Sequence, residues 1–177
     1  MLLKCVEMHD DFGGMWNYNP ETEFSGKEDK ITHSFVRENN TVFNSMYEFL
    51  DTNVPIPVMQ FKDFCKRKEG TFFTRSEFRE YLSEYVEKFS LLKYIEFGIY
   101  VKEVRRATEE EQKDGKKRFQ VTTCPTHEYE NENLIEADFL VVGSGHNSIP
   151  YLPEFEGKEA FEGTIIHSHH FRRPDEE

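Results

Sequence analysis

Residues 134–171 read LIEADFLVVGSGHNSIPYLPEFEGKEAFEGTIIHSHHF. The stretch opens on Phe139-Leu140-Val141-Val142, an apolar run short and β-branched enough to be a buried strand. It stops at Gly143-Ser144-Gly145, where a strand must turn sharply and let its backbone approach another group closely. Pro150 and Pro153 then stiffen a connection into Phe161 to Phe171, where the spacing is F-x-G-x-x-x-H-x-x-x-F on Phe161, Gly163, His167 and Phe171. Taken alone, that segment reads equally as a β-loop-β corner with incidental histidines. His167, His169 and His170 are crowded as metal ligands often are. No acidic or thiol residue stands near them at ligand spacing, so no metal site is expected.

Upstream, Leu2 to Val6 reads as a short buried strand ending at Glu7, followed by a Gly13-Gly14-x-Trp16 turn. A tight Gly-Gly turn covered by a hydrophobic Trp is the plain structural account of that turn. Residues 17–44 are polar and irregular, punctuated by Asn19-Pro20 and Ser25-Gly26. Tyr47 to Pro55 carries Y-x-x-L-x-T-N-x-P, and Met59 to Phe64 carries M-x-F-x-D-F. In the first of these, Thr52-Asn53 ahead of Pro55 is also competent simply to turn the chain. Thr71 to Phe89 is the clearest helix: Thr74-x-x-Glu77 has capping-box spacing, and Phe78, Tyr81, Leu82, Tyr85, Val86 and Phe89 form one apolar stripe. That stripe is core. Lys93 to Val104 alternates like a strand, Asp114-Gly115 predicts a hairpin turn, and Arg118 to Thr123 is its return. The acidic run Glu109-Glu110-Glu111 is expected to cap an exposed loop, and Leu134 to Val142 to rejoin the sheet.

With 177 residues and 37% hydrophobic content the chain suffices for one domain with a real core, and its mean hydropathy of -0.73 predicts a soluble protein. A formal charge of -12 argues against nucleic acid, whose phosphates need a positive face. The short basic runs at 66–68 and 116–118 are diluted by acids. Cys5, Cys65 and Cys124 are odd in number, far apart and without C-x-x-C, so reduced thiols are expected. No apolar run is long enough to cross a membrane, and no cleavable leader is visible.

The F-x-G-x-x-x-H-x-x-x-F segment resembles the identifying signature of the flavin-containing monooxygenases and of their N-hydroxylating and Baeyer–Villiger relatives. Gly143, Gly145, Pro150 and Pro153 resemble the linker that these enzymes place between two dinucleotide sites. The Y-x-x-L-x-T-N-x-P and M-x-F-x-D-F stretches resemble the same family and occur in its order. The resemblance implies an α/β fold: a partial doubly wound, Rossmann-like FAD-binding domain over 1–142, with a small antiparallel insertion at about 91–123. It makes 143–177 a linker toward an NADP-binding domain. It further implies that Glu7 holds the adenosine ribose, that Gly13, Gly14 and Trp16 line the flavin, and that Asn53 is the catalytic amide beside its reactive edge. Gly143, Gly145, Phe161, Gly163, His167 and Phe171 would shape the side facing NADPH, by packing and orientation. The implied activity is NADPH- and O2-dependent oxygenation of soft nitrogen or sulfur nucleophiles, of which N,N-dimethylaniline is a model. The implied location is cytoplasmic, with endoplasmic reticulum association a trait of the family.

One feature cuts against a self-sufficient enzyme. The glycine turn of a dinucleotide site precedes the ribose acid by roughly 20 residues, and no G-x-G-x-x-G stands anywhere in the chain. The expectation is therefore an internal piece of such an enzyme, which alone binds FAD weakly or not at all and NADPH not at all. A catalytically inactive remnant or interaction module is the alternative. Self-association through an exposed sheet edge is a hazard of either.

Overall fold

The computed structural model describes residues 3–20, 45–66, 70–145, 151 and 153–174. Most of the irregular 17–44 stretch, parts of the basic run at 66–68, and His146 to Pro150 lie outside these. The chain divides into two compact units, one of residues 1–12 and 91–145, the other of 13–90 and 146–177.

In the first unit a two-residue strand β1 (Cys5–Val6) pairs in parallel with β4 (Ile95–Glu96). The chain then changes sheet. Gly98, at φ 68, breaks the alternating run that the sequence presents as one strand. Its N–H donates to the His9 carbonyl at 3.1 Å and its own carbonyl accepts from Thr126 N–H at 2.8 Å. Beyond it, β5 (Ile99–Arg106), β6 (Phe119–Pro125) and β7 (Asn133–Ala137) form an antiparallel sheet in the order β5-β6-β7. β6 is the central strand, and Gln120, Val121, Thr123 and Cys124 are buried along it.

Two further expectations fail in this unit. Between β5 and β6 the chain makes no two-residue hairpin: Glu109-Glu110-Glu111 is the first turn of a short helix (Glu109–Lys113) with its own Thr108/Glu111 capping box, and Asp114 is its C-cap. The acids favour that end because unpaired N–H groups and the helix dipole draw negative charge there. Arg105 locks it by a fork of two 2.9 Å bonds to Glu111, whose carboxyl is held at about 2, chiefly by this guanidinium. The second failure is Phe139–Val142, which is neither strand nor buried. Phe139, Val141 and Val142 are 79%, 93% and 74% exposed, because strand structure ends at Ala137 and no described strand pairs with the run.

The second unit is built on a 14-residue helix, Arg75–Lys88. Thr74 caps it: its hydroxyl accepts from Glu77 N–H while the Glu77 carboxylate accepts from Thr74 N–H, the reciprocal box that the T-x-x-E spacing predicts. The helix starts later than Thr71 because Phe72–Thr74 is strand β3, paired antiparallel to β2 (Asp51–Pro55). Ile56, Phe73, Phe78 and Tyr81 form the core, with Trp16, Met59, Phe64 and Leu82 against them. A single-turn helix, Ile56–Met59, follows β2 directly. Among the described residues no helix is long and apolar enough to cross a membrane.

Candidate functional site

Each unit carries part of the predicted site. In the first, Glu7 follows β1 at the carboxyl end of the parallel β1/β4 pair, the end at which α/β folds bind their ligands. The backbone around it is fixed on both sides. Glu7 N–H donates to Glu96 O at 3.0 Å, Ile99 N–H to Glu7 O at 2.9 Å, and the Thr126 hydroxyl to Met8 O at 3.0 Å. One carboxylate oxygen accepts from His9 N–H at 3.0 Å; the other has no partner among the described residues. A half-buried carboxylate so placed fits a ribose diol, which donates two hydrogen bonds. Gly143 and Gly145 stand at the far end of this unit in open space, and only Gly145, at φ 75, needs to be glycine for its backbone.

In the second unit the G-G-x-W turn is a 3-10 turn at Gly14–Trp16. Its two glycines do different work. A Cβ on Gly13 would lie 3.0 Å from Asn17 Oδ1 and 3.1 Å from Arg79 Nε, so what approaches that backbone is the chain's own Arg79–Asn17 hydrogen bond, 2.7 Å long. Gly14, at φ 52, has open space where its side chain would be. Trp16 turns inward, its ring 4.4 Å from that of Phe78.

Asn53 is placed by a defect in the β2/β3 ladder. The register shifts between Asp51 and Pro55, and the buried Thr52 hydroxyl fills the gap, accepting from Phe73 N–H and donating to Val54 O, both at 3.1 Å. Such a bulge re-aims its neighbours. Thr52 is held inward and Asn53 is exposed, its amide without a partner among the described residues. The sequence alone does not assign Thr52 this part, which depends on a cross-strand donor 21 residues away.

The histidine segment is a compact strap. His167 caps the 3-10 turn Ser168–His170: its Nδ1 accepts from His169 N–H at 3.0 Å, so the ring proton sits on Nε2, which faces the Tyr151 carbonyl at 3.2 Å. Both ring nitrogens are thereby engaged with backbone. His169 is 4% exposed and is held near pKa 4 by burial first, then by His170, Arg172 and His167. Arg172, also buried, donates to the carbonyls of His169 (2.8 Å) and Phe171 (3.1 Å) and closes the turn from below. Phe161 lies over Gly163, where an added Cβ would come within 2.5 Å of the ring. The F-x-G pair is thus a single packing unit. Among the described residues no group of three or more His, Cys, Asp or Glu is arranged to hold a metal ion.

The strap ends beside the segment that leads to Asn53. Glu48 N–H donates to Arg172 O at 2.9 Å, and the Tyr47 and Phe171 rings meet edge-on at 5.6 Å. Within this unit, then, the T-N-x-P and histidine motifs are joined.

The model of the flavin-binding monooxygenase-like family matches residues 2–176. The chain belongs to that family. Its fold is accordingly α/β, part of a Rossmann-like flavoprotein. The chain is 29% identical to the trimethylamine monooxygenase of Pelagibacter ubique, a match spanning 98% of this chain and 36% of that protein. It is 32% identical to the flavin-containing monooxygenase FMO GS-OX-like 9 of Arabidopsis thaliana, over 96% of the chain and 37% of that protein. The crystal structure of Tmm from Pelagibacter sp. strain HTCC7211 superposes with a TM-score of 0.75 at 29% identity, over 98% of this chain and 36% of that one. The chain thus spans little more than a third of the length of the relatives it matches.

Proposed function

We propose that these residues serve a flavin-dependent monooxygenase that spends NADPH and O2 to oxygenate soft nitrogen or sulfur nucleophiles. Tertiary amines such as trimethylamine are its first candidate substrates. The observation that carries the reading is the family match over 2–176 together with the Thr52 bulge that turns the Asn53 amide outward. NADPH, a proton, O2 and the amine would give NADP+, water and the amine N-oxide. The chemistry supplied by a bound FAD is the reductive activation of oxygen. This chain's residues bind and orient: Glu7 takes the adenosine ribose, Gly14 leaves room at the flavin, and Asn53 donates a hydrogen bond at the reacting edge. Trp16 supports that turn from within the core, and Gly13 lets Arg79 and Asn17 close it. Gly143 and Gly145 start the connection to the nicotinamide side, with Phe161, Gly163, His167 and Phe171 shaping it. His167 is assigned no proton-transfer role; both its ring nitrogens are engaged with backbone groups.

The domain reading, flavin-side residues over 1–142 and a linker over 143–177, belongs to the same proposal. So does the weakness of these 177 residues toward FAD on their own. A pyrophosphate needs a glycine turn and an open helix N-terminus, and the N-terminus of the Arg75–Lys88 helix is already filled by its own box.

The test is to load the full-length product of the gene with FAD and supply NADPH, 18O2 and trimethylamine. The proposal expects labelled trimethylamine N-oxide in step with NADPH oxidation. A protein that binds FAD, consumes no NADPH and yields no N-oxide would be a non-enzymatic derivative of the family instead.

A further inference from the structure

Two motifs far apart in sequence meet in the second unit. The strap from His167 to Arg172 rests on Tyr47 and Glu48, six and five residues ahead of Asn53. Two contacts make the junction, the Tyr47–Phe171 ring pair at 5.6 Å and the Glu48 N–H to Arg172 O bond at 2.9 Å, while within the strap the Arg172 guanidinium draws in the carbonyls of His169 and Phe171. On its other side the Glu48 segment is bound to the core helix. Arg75 N–H donates to Leu50 O at 2.8 Å, and its guanidinium reaches Glu48 O at 3.5 Å while lying 4.4 Å from the Tyr18 ring. The route from strap to Asn53 is therefore continuous and short: Arg172 and Phe171, Glu48 and Tyr47, Leu50, then β2. Only backbone and one ring pair carry it. The Arg173–Glu48 ion pair, at 3.9 Å and solvent-exposed, adds little.

We propose that Tyr47 and Arg172 are positioning residues that latch the 167–171 strap onto the strand of Asn53, so that order on the nicotinamide side and the aim of the catalytic amide rise and fall together. This rests on the proposed function for what the two ends do, but the latch itself is a property of the chain. Tyr47 supplies one ring of the edge-on pair; its hydroxyl makes no hydrogen bond among the described residues, so phenylalanine would serve as well. Arg172 makes both bonds from its Nη1, whose N–H directions the planar guanidinium fixes, whereas a lysine ammonium turns freely on its stem.

The experiment compares wild type with Tyr47→Phe, Tyr47→Leu, Phe171→Leu, the double Tyr47→Leu/Phe171→Leu, and Arg172→Lys in the full-length protein. Amide hydrogen exchange is followed first, without cofactors. Tyr47→Leu is expected to raise exchange ~10-fold at 48–54 and at 169–172 together, the scale of an edge-on ring pair. Tyr47→Phe should leave both unchanged. The double variant should exchange no faster than either single one. The second readout is the fraction of consumed NADPH recovered as trimethylamine N-oxide in the FAD-loaded protein. It should fall with Tyr47→Leu and Arg172→Lys and return to wild type with Tyr47→Phe. Exchange that rises at only one of the two segments, or additive effects in the double variant, overturns the latch. Joint exchange with an unaltered N-oxide fraction overturns its functional half. A wild type that makes no N-oxide removes the proposed function, while the exchange data still decide the latch.

Discussion

Tyr81→Phe removes one oxygen atom from a side chain that is 2% exposed. That oxygen accepts from Phe61 N–H at 2.7 Å and donates to Phe64 O at 3.0 Å, so it ties the M-x-F-x-D-F segment to the Arg75–Lys88 helix at two backbone points. Burial raises the hydroxyl's pKa above its ordinary value, which keeps the proton on the donating side. The ring contacts to Phe64, Phe73 and Phe78, at 5.3 to 5.8 Å, survive in phenylalanine, so the variant isolates the hydroxyl. Two hydrogen bonds at a net of about 1 kcal/mol each, with one backbone donor left short of a partner, put the loss near 2–3 kcal/mol. For a protein of this size that lowers the melting temperature by ~4–10 °C. Urea and thermal melts followed by circular dichroism measure it. Tyr81→Ala, which also empties the ring's space, should cost roughly 3–5 kcal/mol and sets the upper bound. A Tyr81→Phe protein melting within a degree of wild type would mean that water or a backbone shift replaces both bonds, and the account of how 59–64 is held would be wrong.

Further predictions concern the helix end, the strap and the signature glycine. Ser90 sits at φ 51 just past the helix, with its N–H on Glu87 O, a position that favours glycine, so Ser90→Gly should stabilise by about 1 kcal/mol in the same melts. Burial holds His169 near pKa 4, below the ordinary value of 6.5. The folded state therefore binds fewer protons than the unfolded one between those values, and stability present above pH 6.5 is lost as pH falls toward 4, by up to about 3 kcal/mol. His169→Gln should flatten that part of the urea-midpoint-against-pH curve relative to wild type. Gly163→Ala drives the Phe161 ring from its place, because the methyl would stand 2.5 Å from it. That ring is 60% exposed, so the melting temperature should hardly move while the KM for NADPH rises.

What the sequence discloses tracks how local the governing physics is. Thr74-x-x-Glu77 announces its helix start because both halves of the box lie within one turn. Thr108-x-x-Glu111 makes the same announcement for the short helix after β5. That signal is present and is overridden by the hairpin reading of Asp114-Gly115. The Gly98 break is not legible, since alternation runs through it and the switch between sheets is fixed by distant backbone partners, the carbonyls of Glu7 and His9 and the N–H of Thr126. Phe139–Val142 misleads for a related reason: a run without periodicity says that it needs cover, and pairing decides whether it is strand. The residue types of the candidate site, Glu7, Asn53 and His167, are legible by family resemblance. Their settings are not. The bulge filled by Thr52 and the closeness of Arg79 to Gly13 come from contacts across tens of residues, and the tautomer of His167 from a 3-10 turn that the sequence does not announce.

The central claim is that Asn53 aims its amide at oxygen chemistry on a bound flavin. Its most direct test is the yield of trimethylamine N-oxide per NADPH consumed by FAD-loaded full-length protein, wild type against Asn53→Ala. The account predicts equal flavin content, continued NADPH oxidation, and a yield lower by roughly 10- to 100-fold, the worth of one hydrogen bond to a developing charge. An Asn53→Ala protein that retains its flavin and its full N-oxide yield would contradict it.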